Sequence, residues 1–146
     1  RHPMIKSSPM QVEVVVHSDS DPMPKKWQKF YKSNWELSAA RGATCVRYMI
    51  EKGVPAPRLL AAGYGDWYPR GIDSIKSINP MYNPLTLVWG DKGQPTDAKG
   101  NPLPTVLSLN KTKKQKSGNR RIQITFINPP HHGKGRSGTD YQESEN

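Results

Sequence analysis

Lys25, Lys26, Lys29 and Lys32 interleave with Trp27, Phe30, Tyr31 and Trp35. Rings that stack on bases, beside ammonium groups that pair with phosphates, can hold a single nucleic-acid strand. A second basic run, Lys111, Lys113, Lys114, Lys116, Arg120 and Arg121, and a net charge of +10 over 146 residues extend that chemistry. Bond-making chemistry finds no such support. No nucleophile and base are spaced for each other, no phosphate loop is present, and Gly63-Tyr64-Gly65 lacks the spacing of a dinucleotide fingerprint. His17 is solitary and His131-His132 lies in a Pro- and Gly-rich tail, so no zinc spacing arises. Cys45 is the only cysteine, which precludes an intrachain disulfide and suits a small core residue on a helix. The sequence therefore predicts a binding module with no cofactor and no metal, not an enzyme.

The elements that must position any binding group are clearest from Ser33 to Pro69. Ser33 and Glu36 have the S-x-x-E spacing of a capping box, which starts a helix near Asn34. Good helix formers run to Lys52, Gly53 can take the left-handed conformation that ends a helix, and Pro55 and Pro57 prevent its resumption. Leu59 to Ala62 is a short apolar run bounded by Gly63 and Gly65, which predicts a buried strand.

Four motifs along the chain resemble the OmpA-like peptidoglycan-binding domain. The central one, N-x-x-L-S-x-x-R followed by a glycine and R-L-x-x-x-G-Y-G-x-x-x-P, is matched by Asn34, Leu37, Ser38, Arg41, Gly53, Arg58, Gly63, Gly65 and Pro69. Upstream, Val12 to Asp19 is similar to the family's strand followed by G-H-T-D; downstream, Asn119 to Ile124 matches N-R-R-[IV]-x-[IV]. The wording S-N-W-E-L-S-A-A-R is most similar to the periplasmic domain of the flagellar motor stator group, MotB. The nucleic-acid reading explains neither the helical unit nor the order of these motifs, and a basic surface is equally attracted to an anionic cell wall.

The resemblance implies non-catalytic recognition of the diaminopimelate residue of the peptidoglycan stem peptide, with Asp19 and Arg41 at the matching positions. A free amino-acid end carries an ammonium and a carboxylate, which an acceptor-only carboxylate and a forked guanidinium can pair with. Asn34 and Ser38 precede Arg41 by seven and three residues, near one helix face. Asn119 and Arg121 occupy positions that support or line the site in the family. His17 is expected to be structural, and Asp21 competes with Asp19 for the ligand role. Taken whole, the resemblance implies a periplasmic anchor tied to the inner membrane, a homodimer with a MotA-like membrane partner, and no nucleic acid. A generic OmpA-like or Pal-like anchor is the near alternative.

The expected fold is α/β: a two-layer mixed sheet of βαβαβ type over residues 11–127, with helices on one face. The helix should pack on strands near Val12–Val16, Leu59–Ala62 and Arg121–Ile127, with Ile122, Ile124 and Phe126 on the helix-covered face. The family's first strand and helix have no counterpart before Arg1, so a fragment is expected. Val16 stands where the family has glycine, Ser18 where it has threonine, and Gly42 where it has alanine, the last costing about 1 kcal/mol of helix propensity. Between Pro69 and Asn119 the family has a short loop; here an insertion over about 71–117 carries two apolar segments, ending at Trp89 and starting at Leu103, which predict a hairpin with Pro102 and Pro104 at its edge. Residues 128–146 are expected to be a disordered tail.

Overall fold

The computed structural model of the protein describes residues 9–72 and 86–128. Alternation of Val12, Val14 and Val16 makes the first strand, β1 (Gln11–His17), one-sidedly apolar, and all three valines are buried. Among the described residues, β1 is the centre of a three-stranded mixed sheet. It runs parallel to β2 (Leu59–Gly65) and antiparallel to β3 (Arg121–Ile127).

A one-turn helix, α1 (Lys25–Gln28), precedes the long helix α2 (Asn34–Glu51). The Ser33 hydroxyl accepts from the Trp35 amide at 3.1 Å and donates to the Glu36 carboxylate, so one side chain closes the first turn from both directions. That bond draws the Glu36 carboxyl below its ordinary value. At the other end Gly53, at φ 89°, reverses the chain, and the Val54 amide returns to the Met49 carbonyl at 3.0 Å. The start and stop lie where the sequence predicts them.

The run from Leu59 forms the expected strand, but not a buried one: Leu60 is exposed, because β2 is a sheet edge covered on one face. α2 lies across β2 and β1. Its closest approach is at Gly63, where an added Cβ would stand closer than 3.0 Å to the Ala39 nitrogen and to Ser38.

Cross-strand register pairs Val12 with Phe126, Val14 with Ile124 and Val16 with Ile122, so the β3 residues share the face that α2 covers. Coverage stops short of them. Ile122 is 52% and Ile124 46% exposed, because α2 sits over the other two strands. The two-layer α/β architecture is as expected; the burial of these two isoleucines is not.

The insertion is tied down by scattered bonds. Val88 and Trp89 carbonyls accept from the Val106 and Leu107 amides at 2.9 and 3.0 Å, and Thr96 bridges Pro102. No ladder extends between them among the described residues. Pro102 and Pro104 have no amide to give, and after Val106 the chain turns into a 3₁₀ turn, Ser108–Asn110. A short helix, α3 (Lys113–Asn119), follows, capped reciprocally by Thr112 and Gln115. The basic run thus holds a helix that its charge pattern did not predict. Leu85 and the tail beyond residue 128 lie outside the described residues.

Candidate functional site

The parallel pairing of β1 with β2 shifts register between Val16 and His17, and the Ser18 amide then bonds the Gly65 carbonyl at 2.8 Å. This carries Asp19 just past the end of the central strand, beside the start of α2. Asp19 is 6% exposed. One carboxylate oxygen accepts from the Asp21 amide at 3.1 Å, and the other is paired with the Arg120 guanidinium. Asp21, by contrast, is half exposed and paired with Lys116. Of the two candidate carboxylates, Asp19 is the one enclosed and held.

The other sequence-predicted residues divide sharply. Arg41 is exposed on α2, and no hydrogen bond or ion pair holds its guanidinium among the described residues; the charge on Asp19 is met by Arg120 instead. Asn34 lies at the site, its amide donating to the Asp19 carbonyl at 3.5 Å and to Asp66 Oδ2 at 3.2 Å. Ser38 is buried under Gly65, accepting from its amide at 3.0 Å while donating to the Trp35 carbonyl at 3.0 Å. Its hydroxyl locks helix to strand. Arg121 reaches the Asn119 and Tyr68 carbonyls at 3.4 and 3.2 Å and so fastens β3 to the turn after β2.

Asn119 is a hub. Its Oδ1 accepts from the Arg70 amide at 2.6 Å, and its Nδ2 donates to the Leu109 carbonyl at 3.0 Å and to Asn110 Oδ1 at 2.7 Å. Asn110 Oδ1 in turn accepts from the Ser20 amide at 3.3 Å, which links the insertion to the loop bearing Asp19. Asn119→Ala should cost about 2–3 kcal/mol, since it strands buried partners, measured as a lowered denaturant midpoint.

Sequence reasoning missed three members of this site. Arg120 lies inside the N-R-R motif but reads as one more charge of the basic run. Asp66 directly follows the Gly63-Tyr64-Gly65 turn, an available but unweighted signal. Asn110 has no motif to mark it, because the partners of its Oδ1 at the site are 9 and 90 residues away.

His17 is 2% exposed, stacked on Tyr64 at 5.2 Å between ring centroids. Burial, and then the positive charge of Arg121, lower its pKa from 6.5 to about 4, so it is a neutral ring in the fold. Because the folded value lies below the unfolded one, the unfolded chain takes up the proton first. Stability is full above pH 6.5 and falls as pH drops toward 4. A loss of about 1–2 kcal/mol, after allowance for solvent around Arg121, should appear in thermal melts across that window and vanish in His17→Phe.

Next to Asp19, across Asn34, a cleft of about 340 Å³ opens between the start of α2, Asp66, Trp67 and Trp89. The Trp67 and Trp89 rings meet at 5.3 Å and 53°.

A sequence profile of the OmpA family matches residues 3–79. Among curated proteins, the uncharacterized protein YtxE of Bacillus subtilis (strain 168) is 36% identical over 67 residues, 45% of this chain and 26% of that protein. A crystal form of the C-terminal domain of Helicobacter pylori MotB has a TM-score of 0.50 at 18% identity, over 85% of this chain and 64% of that one. A MotB-like protein from Desulfovibrio vulgaris gives 0.48 at 18%, over 85% and 52%. The chain thus spans about a quarter of the curated relative and under two thirds of these solved chains, and at such identity the structural likeness is one of fold. With the family profile covering more than half of its residues, the chain belongs to the OmpA family.

Proposed function

We propose that the protein binds the stem peptide of peptidoglycan non-covalently, through its diaminopimelate residue, and so anchors a membrane-associated complex to the cell wall. The observation that carries this reading is the enclosed Asp19 carboxylate beside the start of α2. Its remaining lone pairs are suited to the ammonium of the ligand's amino-acid end, while Arg41, whose guanidinium has no bond among the described residues, is suited to the carboxylate. Asn34 lies between the Asp19 loop and Asp66 and can contribute a further polar contact. Ser38, Asn119 and Arg121 take the supporting role: Ser38 fixes α2 to β2, Asn119 fastens the segment around Asn110, and Arg121 ties β3 to the turn after β2.

In this reading the protein is a MotB-like stator subunit of the flagellar motor, working in the periplasm, dimeric, with an inner-membrane tether and a MotA-like partner. A generic OmpA-like or Pal-like anchor would use the same site. A nucleic-acid module is disfavoured because the basic run is partly spent internally: Lys116 and Arg120 pair with Asp21 and Asp19, and Arg121 binds carbonyls.

Titration of the labelled protein with a diaminopimelate-containing stem peptide, followed by NMR, tests the site. Shifts should centre on Asp19, Asn34 and Arg41. Shifts confined to Lys111, Lys113 and Lys114, or none, would contradict it.

A further inference from the structure

The segment before α2 has two sides. Gln28 and Lys32 line the cleft beside Asn34, while Trp27, Phe30 and Tyr31 have the three- and four-residue spacing that gathers side chains on another side of a helical turn. The backbone closes as that spacing requires, with the Phe30 and Tyr31 amides both donating to the Trp27 carbonyl, at 2.9 and 3.0 Å. Trp27 therefore meets Phe30 at 6.4 Å and Tyr31 at 6.3 Å between ring centroids, and Phe30 meets Tyr31 at 6.5 Å. Little of this cluster serves the core. Phe30 is 64% and Trp27 38% exposed, and α1 contributes no buried residue. From Pro22 to Lys32 the chain carries Lys25, Lys26, Lys29 and Lys32 and no carboxylate. The flanking carboxylates, Asp21 and Glu36, are engaged by Lys116 and Ser33, and no ion pair holds these four lysines among the described residues.

Exposed rings set among unpaired ammonium groups select a partner by charge and by phase. The lysines call for an anionic surface, and the rings for a place to leave water. A dry apolar protein surface would strand the ammonium groups. A single nucleic-acid strand would need open ring faces on which bases stack, and the geometry is against it. The rings are tilted at 56°, 37° and 59° to one another, and the Lys26 and Lys29 ammonium groups lie over Trp27 and Phe30 at 5.6 and 4.8 Å. Entry into a bilayer surface asks for no stacking geometry. Aromatic side chains settle at the level of the headgroups, and lysines keep their charged ends among the phosphates while their stems lie with the rings.

We propose that the Trp27–Phe30–Tyr31 cluster, with Lys25, Lys26 and Lys29 around it, docks the protein on the surface of an anionic phospholipid bilayer. The rings enter the boundary between headgroups and acyl chains, and the lysines pair with headgroup phosphates. This contact is independent of peptide binding. It uses the side of the segment turned away from Gln28 and Lys32, so the cleft stays open.

Co-flotation of the full chain with vesicles tests this, using phosphatidylcholine alone and an equal mixture of phosphatidylcholine with phosphatidylglycerol. The protein should float with the mixed vesicles and stay behind with the neutral ones. Phe30→Ser, on the most exposed of the rings, should weaken partition about tenfold, and Lys25→Gln, Lys26→Gln and Lys29→Gln together on the order of a hundredfold. Both variants should melt as the unaltered protein does, since α1 buries nothing. No flotation with the mixed vesicles, equal flotation with both kinds, or partition that either variant leaves unchanged overturns the proposal. Retention of a single-stranded oligothymidylate in place of the vesicles, lost in Phe30→Ser, would assign the cluster to nucleic acid and overturn it as well.

Discussion

Asp19→Ala should abolish the proposed binding to peptidoglycan and leave the fold cooperative. Asp19 is nearly enclosed, so its charge acts on a ligand ammonium with little water between them, and losing one partner of such a pair costs about 2–5 kcal/mol. That corresponds to a roughly 30-fold to several-thousand-fold weaker Kd. The structural cost is small by comparison, because the partner left behind, Arg120, is half exposed and can be solvated. Arg41→Ala should lose binding to a similar degree at still less cost to the fold, since no bond holds its guanidinium among the described residues. Isothermal titration with stem peptide alongside thermal unfolding checks both variants. If binding and unfolding cooperativity are lost together, Asp19 is structural and the site assignment fails.

Gly63→Ala should destabilise the protein severely. The added carbon would press on Ser38 and on the Ala39 backbone nitrogen, and backbone of a helix interior cannot swing aside as a flexible side chain would. Relief requires lifting α2 from β2, which also breaks the bond from the Gly65 amide to Ser38. A loss of about 3 kcal/mol or more follows, with the melting temperature down by on the order of 10 °C. A variant that melts within a degree or two of the unaltered protein would show that the helix does not pack this closely.

Much of the architecture was legible because it is written in local terms. Ser33, Glu36, Gly53 and Pro55 mark the ends of α2 within a few residues of where each acts, and the alternating valines of β1 need only a period of two. What escaped notice depends on distance in sequence. Whether Ile122 and Ile124 are covered turns on where α2 lies across the sheet, which no residue near them states. The insertion reads as two strands because its apolar runs alternate, yet Pro102, Pro104 and the turn at Thr105–Ser108 limit it to scattered bonds. At the site, residue types were legible but pairings were not. Asp19 could be named from its motif; that Arg120, 101 residues away, meets its charge could not.

The central claim is that the enclosed carboxylate reads the peptide of the cell wall. Co-sedimentation with purified peptidoglycan sacculi, with and without excess diaminopimelate-containing stem peptide, tests it most directly. The account predicts that the protein pellets with the sacculi, that the peptide releases it, and that Asp19→Ala stays in the supernatant. A folded protein that remains in solution, or one that pellets and is not displaced by the peptide, would contradict it.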